Sequence, residues 1–202
     1  LDLCIIKGRL PSRKAQFCTQ FLKTEPLVEY QMSLLDSGEC DAVWSWQGIR
    51  RDEGGRRAHA KEFESLGGNL YVYLPIARWK AADCFNAMRA CGIKPNPLYS
   101  LGFDRVGCMP CVNSGKTDIL NMAKRFPEHV ERIAEWERVV AEASWRRLSS
   151  FFPAPDYGRG DRVGRNIAQV VQWSKTTRGG KNFDLLATAP PEACASRYGL
   201  CE

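Results

Sequence analysis

Two cysteines separated by two residues form the part of this sequence that is best suited to chemistry. Cys108 and Cys111 lie in a loop rich in glycine and proline, and their spacing lets two thiolates face one metal centre. Such a centre needs further ligands, and Cys18 and Cys91 are the best candidates for them. The pattern favours an iron–sulfur cluster, with structural zinc as the alternative, because sulfur ligation alone does not separate the two metals.

Arginines form a second group with chemical potential. They follow a predicted strand at residues 42–49, and they are Arg50, Arg51, Arg56 and Arg57. Guanidinium forks match the oxygens of phosphate and sulfate, and ligands of open α/β sheets bind where strands end. The arginines therefore indicate an anion site, although a solvated basic loop is the reading that composition alone favours.

The elements that position these groups alternate between strands and helices. Short apolar runs predict strands at residues 3–6, 42–49 and 70–76. Helical spacing predicts helices over residues 12–22, 26–35, 79–90, 117–125 and 127–148. We therefore expect an α/β fold with a mostly parallel sheet flanked by helices, a helical C-terminal part and an irregular tail.

Three segments follow from this reading of the chain. Residues 1–115 are expected to form the α/β domain with its cysteine loop, residues 116–150 a helical bracing segment, and residues 151–202 a basic, glycine-rich tail. The stretch from residue 92 to 115 is expected to be an ordered loop, because glycine and proline interrupt any regular element there.

Composition excludes several classes of protein. The 202 residues are 44% hydrophobic and 26% charged with a net charge of +6, which argues against a disordered or collagen-like chain. No apolar run is long enough to span a bilayer, and no charged-then-apolar leader opens the sequence. We expect a soluble, cytoplasmic protein in which disulfides are disfavoured. Because the chain starts at Leu1 in a strand-like run, we also expect it to begin inside a domain.

The sequence resembles a known family at several places between residues 9 and 115. The matching residues are Phe17-Cys18-Thr19 with Lys23 and Pro26-Leu27; Gly48-Ile49-Arg50 with Glu53 and Arg56; Leu74-Pro75-Ile76 with Trp79 and Asp83; and Asn96-Pro97-Leu98-Tyr99 before Gly107-Cys108-Met109-Pro110-Cys111. Together they resemble the phosphoadenosine phosphosulfate (PAPS) reductase family, in the adenine nucleotide α-hydrolase superfamily, and particularly its phage-type members.

The resemblance implies an adenine nucleotide as ligand, either ATP, adenosine phosphosulfate or PAPS. It implies that Arg50 and Arg56 hold the nucleotide or its sulfuryl group, with Glu53 orienting them. Family members that reduce adenosine phosphosulfate hold a 4Fe-4S cluster with two adjacent cysteines and a later Cys-x-x-Cys. Here Cys18 takes the place of the first adjacent cysteine and Thr19 that of the second. Cys91 is therefore expected to replace the lost ligand.

Two departures from the family pattern shape the expectations. The phosphate-cradling Ser-Gly-Gly-x-Asp-Ser type of loop does not occur in residues 1–202, so we expect this chain to lack the front of its nucleotide site. The family's terminal Glu-Cys-Gly-(Ile/Leu)-His element is replaced by Tyr198-Gly199-Leu200-Cys201-Glu202. Cys201 is the expected nucleophile. The alternatives are that it pairs or ligates with Cys194, or that it is an ordinary terminal thiol.

Two classes of function remain open from the sequence. The first is an enzyme that reduces an activated sulfate with a thioredoxin-like reductant, or that performs a related ATP-dependent sulfur transfer, as DNA phosphorothioation enzymes of the superfamily do. The second is a non-catalytic module, stabilised by zinc, that binds nucleic acid or protein. Basic residues near Trp173 and Phe183 in the tail fit a nucleic-acid contact.

Overall fold

The computed structural model describes residues 1–152, 166–177, 182–184, 187, 189–191 and 194–200. The chain divides into two compact units. The split unit combines Leu1–Gln16 with Asn96–Glu202, and the continuous unit is Phe17–Pro95. The three-way division predicted at residues 115 and 150 stays a prediction, and the two units are described separately below.

Seven α-helices and three strands are described. The helices are α1 Asp2–Ile6, α2 Phe17–Thr19, α3 Glu25–Asp36, α4 Ala81–Ala90, α5 Lys116–Arg125, α6 Pro127–Ala143 and α7 Ile167–Ser174. The strands are β1 Val43–Trp46, β2 Phe63–Gly67 and β3 Leu70–Tyr73. A π-helical turn at Gln20–Thr24 joins α2 to α3. Within these described ranges, no helix combines the length and the apolar character that crossing a membrane requires.

The sheet of the continuous unit has the order β1-β3-β2. β1 pairs with β3 in parallel, from Val43 opposite Leu70 to Trp46 opposite Tyr73. β2 pairs with β3 in the antiparallel sense. The predicted α/β class is therefore confirmed, but a mostly parallel sheet is not. The sequence missed β2 because every residue of this strand is exposed, so it carries no alternation of apolar and polar side chains.

Helix predictions in the continuous unit are confirmed in part. α3 and α4 lie within two residues of the predicted ranges 26–35 and 79–90. The helix predicted over residues 12–22 is wrong in its first half, because helical structure begins only at Phe17. Before it, Ser12 and Ala15 form a turn in which each backbone amide donates to the other residue's carbonyl at 3.1 Å.

The core of the split unit lies between α5, α6 and α7. Its most deeply buried side chains are Ile133, Val140, Ile167 and Val170, each at most 1% exposed. α6 follows the predicted apolar spacing and starts at the predicted Pro127, but it ends at Ala143 rather than at residue 148. Three helices thus enclose one apolar centre, beside which the cysteine loop is placed.

Two predictions for the split unit are wrong. Residues 3–6 were expected to form a strand, but α1 is a helix, and its Cys4 packs on the core while Ile6 is 79% exposed. The tail was expected to be irregular, yet it contains α7, which starts at Asn166. The Asn166 side chain accepts a hydrogen bond from the Gln169 amide at 3.1 Å, the usual way to satisfy a free amide at a helix start.

Candidate functional site

The arginines lie at one edge of the sheet, where the parallel strands β1 and β3 end. Arg50 follows β1 and Arg78 follows β3. The Arg51 amide donates to the Ala77 carbonyl at 2.9 Å, so the two strand extensions remain neighbours beyond the sheet. The carboxyl ends of parallel strands lie at the same edge of a sheet. Arg50 and Arg51 therefore lie at the predicted place, directly beyond the end of a strand.

Arg50 is held by carboxylates of the following turn. Its Nη1 lies 3.2 Å from Asp52 Oδ2 and its Nε lies 3.5 Å from Glu53 Oε1. The Arg50 side chain is 17% exposed. Asp52 Oδ2 also accepts the Ala81 amide at 3.0 Å, which ties this turn to the start of α4. Glu53 thus contacts Arg50, and its role in orienting Arg50 toward a nucleotide stays a prediction.

The turn continues through two glycines into a second basic stretch. Gly54 and Gly55 have φ values of +70° and +58°, a backbone conformation that residues with a Cβ rarely adopt. Beyond them, Arg57 forms an ion pair with Glu53. Arg56 lies in the 3-10 turn Gly55–His59, and its side chain is outside the described part of the chain.

Glu62 is a member of this edge that sequence reasoning missed. It pairs with Arg78 and lies 3.5 Å from Arg51. The hydrogen bond from Arg78 lowers the pKa of the Glu62 carboxyl, and the same contact raises the pKa of Arg78. The positive charge of Arg51 and Arg78 is therefore partly compensated by the Glu62 carboxylate. The sequence feature that could have revealed this ion pair is the position of Arg78, which follows β3 as Arg50 follows β1.

The cysteine loop of the split unit presents two thiols. Cys108 is exposed and Cys111 is half-buried, and neither is in a disulfide. Arg105 Nε donates a hydrogen bond to Cys111 Sγ at 3.3 Å. The Arg105 side chain therefore contacts the Cys111 sulfur directly. The pair suits a sulfur-ligated centre, but it supplies only half of the predicted ligands.

One buried carboxylate braces this loop at both ends. Asp118, 5% exposed on α5, accepts the Asp104 amide through Oδ1 at 2.8 Å and the Gly115 amide through Oδ2 at 3.0 Å. On the outer side, Arg13 donates to the carbonyls of Val112 and Ser114 at 3.3 and 2.9 Å. These contacts fix the shape of the loop. The sequence does not reveal the role of Asp118, because its partners are backbone amides.

The other predicted ligands belong to the continuous unit. Cys18, in α2, is half-buried, and Cys91, directly after α4, is exposed; both are free thiols. Across the described ranges, no group of three or more His, Cys, Asp or Glu side chains is arranged to hold a metal ion. The four-cysteine centre stays a prediction. The expected nucleophile, Cys201, lies outside the described residues.

Comparisons with known proteins bear on the region that contains both groups. Residues 7–114 match the phosphoadenosine phosphosulfate reductase domain. The whole chain is 42% identical to an uncharacterized 37.8 kDa protein of Escherichia phage 186, of which it covers 64%.

Half of the chain is 30% identical to the adenosine 5'-phosphosulfate reductase of a Chelativorans species, covering 38% of that protein. A similar share is 32% identical to the enzyme of that name from Burkholderia cepacia, covering 36% of it. The chain thus spans less than two thirds of these relatives. Since the matched domain covers more than half of the chain, including the arginine edge and the cysteine loop, the chain belongs to the phosphoadenosine phosphosulfate reductase family.

Proposed function

We propose that the protein reduces an activated sulfate carried by an adenine nucleotide, either adenosine phosphosulfate or PAPS. The single observation that carries this proposal is the domain match over residues 7–114, which includes the arginine edge and the cysteine loop. Relatives named adenosine 5'-phosphosulfate reductase match about half of the chain. Cys18, Cys91 and Cys111 are not in disulfides, which fits the reducing environment of the cytoplasm.

The proposed reaction begins with a thiolate, for which Cys201 is the expected source. Its sulfur attacks the sulfur of the sulfuryl group, so that an S–S bond forms and the S–O bond to the nucleotide phosphate breaks. The leaving phosphate keeps the electron pair of the broken bond. Arg50 and Arg56 are the proposed ligands of these oxygens, where fixed positive charge stabilises the charge that develops on the leaving group.

The arrangement at Arg50 suits an exchange of anions. Its guanidinium is mostly buried and is positioned by Asp52 and Glu53. A positioned guanidinium has already lost much of its conformational freedom, so binding a phosphate or sulfuryl oxygen costs less entropy. Glu53 also forms an ion pair with Arg57, so its carboxylate is divided between Arg50 and Arg57.

Cys18, Cys91, Cys108 and Cys111 remain the proposed ligands of a 4Fe-4S cluster, with zinc as the alternative metal. When bound, a cluster supplies a redox-active, charged centre. The contribution of the chain itself is clearest at Cys111, where Arg105 donates to the sulfur. Hydrogen bonds to ligand sulfurs are one of the ways in which proteins set the properties of such a centre.

Nucleotide binding is the direct test of the substrate class. The full chain should bind adenosine phosphosulfate or PAPS, and Arg50→Ala should weaken binding about tenfold or more, because a charge-assisted contact is lost. Arg89→Ala is the matched control, since Arg89 lies on α4 and contacts only Asn86 at 3.3 Å in the described hydrogen bonds. Binding of ATP alone would favour sulfur transfer, and binding of no nucleotide would contradict the proposal.

Metal content is tested separately. Iron, sulfide and zinc are measured in protein purified without oxygen, for each Cys→Ala variant of the four proposed ligands. Cys84→Ala is the matched control because Cys84 is a half-buried free thiol outside the proposed set. Loss of iron and sulfide in the four variants, but not in the control, supports the cluster. Zinc in place of iron favours the binding-module alternative.

A further inference from the structure

The sheet of the continuous unit gathers its aromatic side chains on one face. Residues directly opposite each other on paired strands point to the same face, and so do alternate residues of one strand. The other face holds the buried side chains of Ser45 and Leu70. The register places the following side chains together on what we name the ring face: Trp44 and Trp46 of β1, Tyr71 and Tyr73 of β3, and Phe63 and Ser65 of β2.

The rings contact one another and remain accessible. Trp46 meets Tyr73 edge to face with the ring centroids 5.3 Å apart, and Phe63 stacks on Tyr71 at 5.9 Å. Trp46 nevertheless remains 70% exposed and Phe63 48% exposed. Contiguous exposed apolar surface is uncommon on soluble proteins and marks sites of interaction. The ring face is therefore a candidate binding surface.

The type of side chain on the ring face favours a planar ligand. Five of its six positions are aromatic, and none carries Leu, Ile, Val or Met. Faces that bind a lipid surface or an amphipathic helix combine aromatic with aliphatic side chains. Rings alone suit stacking with nucleic-acid bases, because every base has a π-face. The bases of a single strand are available for such stacking, whereas those of a duplex are paired and stacked on each other.

Cations lie at one end of the same sheet. Arg78 follows β3, and Lys61 precedes β2, which runs antiparallel to β3, so both lie at the same end. Arg78 pairs with Glu62, and Lys61 Nζ lies 3.9 Å from Glu64 Oε1. In each pair the cation is the more exposed side chain, 78% against 36% for Arg78 and 74% against 50% for Lys61. The more accessible charge is thus positive, which complements phosphate.

We propose that the ring face binds single-stranded nucleic acid. Bases stack on Trp44 and Trp46, and the phosphates of the strand lie toward Lys61 and Arg78. Aromatic residues on the sheets of RNA-binding modules stack two or three bases in this way. The binding goes beyond the proposed reduction of activated sulfate, and it requires neither Arg50 nor the cysteine loop. The two proposals can therefore fail independently.

The stacking is tested with the full chain and fluorescein-labelled oligonucleotides of about 12 nucleotides, a length within the usual site sizes of single-strand binding domains. The probes are oligo(dT), oligo(U) and a duplex of the same length, and fluorescence anisotropy measures their affinities. Both single strands should bind at least about tenfold more tightly than the duplex. A difference between oligo(dT) and oligo(U) identifies DNA or RNA as the preferred source of the bases.

Two substitutions of one residue separate stacking from general apolar contact. Trp46→Leu should weaken binding of oligo(dT) about tenfold, whereas Trp46→Phe, which keeps a ring, should stay within about threefold of the wild type. Trp145→Ala is the matched control, because Trp145 is 85% exposed and belongs to the split unit. Unchanged affinity in Trp46→Leu, equal binding of the duplex, or no binding of either single strand would overturn the proposal.

Salt dependence tests the contribution of the cations. Arg78→Ala should reduce the slope of log affinity against log salt concentration by about 0.7, the contribution of one phosphate contact to a single strand. Arg89→Ala, on α4 of the same unit, should leave the slope unchanged. Equal slopes in the wild type and Arg78→Ala would contradict the phosphate contact. A dimer in sedimentation that Trp46→Leu disperses would identify a second copy as the occupant and overturn the proposal.

Discussion

The two compact units differ in how much apolar surface they bury. The split unit encloses a cluster of eleven buried apolar side chains, including Ile133 and Val140 at 0% exposure. The buried apolar residues described in the continuous unit are Phe17, Leu70, Leu74 and Ala77. Since burial of apolar surface is the main favourable term in folding, the split unit carries most of the stability that the described residues supply.

The continuous unit instead exposes aromatic rings on its sheet. Trp44 is 50% exposed and Trp46 is 70% exposed. Trp44 lies 5.0 Å from Phe63 and 5.1 Å from Tyr71 between ring centroids, so the rings contact one another across all three strands. The arginine edge thus belongs to a unit held by strand pairing, ring contacts and ion pairs, whereas the cysteine loop rests on a packed core.

The largest effect should come from the core of the split unit. Ile133→Ala should lower the free energy of unfolding by about 2–5 kcal/mol, because it removes buried methyl groups and leaves a cavity. Trp46→Ala in the continuous unit should change it by less than about 0.5 kcal/mol, because this side chain is largely exposed. Urea denaturation of both variants measures the difference. Equal losses would contradict the contrast between the units.

The next effect concerns a buried carboxylate of the same core. Glu137, 5% exposed, accepts the Phe151 amide through Oε1 and the Ile167 amide through Oε2, each at 2.8 Å. Glu137→Ala should cost about 1–3 kcal/mol for each buried amide left without an acceptor. Glu131→Ala, at an exposed position of the same helix, should leave the denaturation midpoint unchanged. If the control shifts the midpoint equally, the effect of Glu137→Ala comes from helix propensity and not from the lost hydrogen bonds.

A smaller effect is expected where Ala195 packs against Gly102 within the split unit. Gly102→Ala should destabilise the protein by about 1–3 kcal/mol, because the new methyl group meets Ala195 and the residue must keep a positive φ. Gly107→Ala is the control, since a Cβ there meets nothing within 4 Å. Thermal unfolding of both variants provides the measurement. Equal stability of the two variants would argue against close packing between Gly102 and Ala195.

The smallest effect is a dependence on pH. Burial raises the pKa of Glu137, and this outweighs the hydrogen bonds that lower it. A carboxyl with a raised pKa in the folded state contributes stability at low pH that is lost as the pH rises through that value. The free energy of unfolding of the wild type, relative to Glu137→Gln, should therefore fall as the pH rises above 4.5, the ordinary value for this group. A difference that stays constant from pH 4 to 8 would contradict the burial argument.

The sequence predicted best where local pattern decides the structure. The apolar spacing of α6 and the arginines after β1 were both found at the expected places. The exposed strand β2 has no pattern, and α1 was mistaken for a strand because four apolar residues fit either structure. Short apolar runs do not distinguish a strand from a helix without their tertiary partners.

Of the candidate site, the sequence predicted residue types better than their partners. The expected contact between Arg50 and Glu53 is present, whereas the roles of both residues and of the thiols in the cysteine loop stay predictions. It missed Glu62, whose partner Arg78 is remote in sequence, and Asp118, which binds backbone amides at both ends of the loop. Glu137 did show a signal, because it lies on the apolar face of α6, where a carboxylate is unusual.

The most direct test of the central claim is the production of sulfite from adenosine phosphosulfate or PAPS by the full chain, with a thioredoxin-class dithiol present. We predict that adenosine phosphate and sulfite form in equal amounts, that Cys201→Ala abolishes both products, and that Cys84→Ala behaves as the wild type. If the folded protein consumes neither nucleotide, it is not a reductase of activated sulfate.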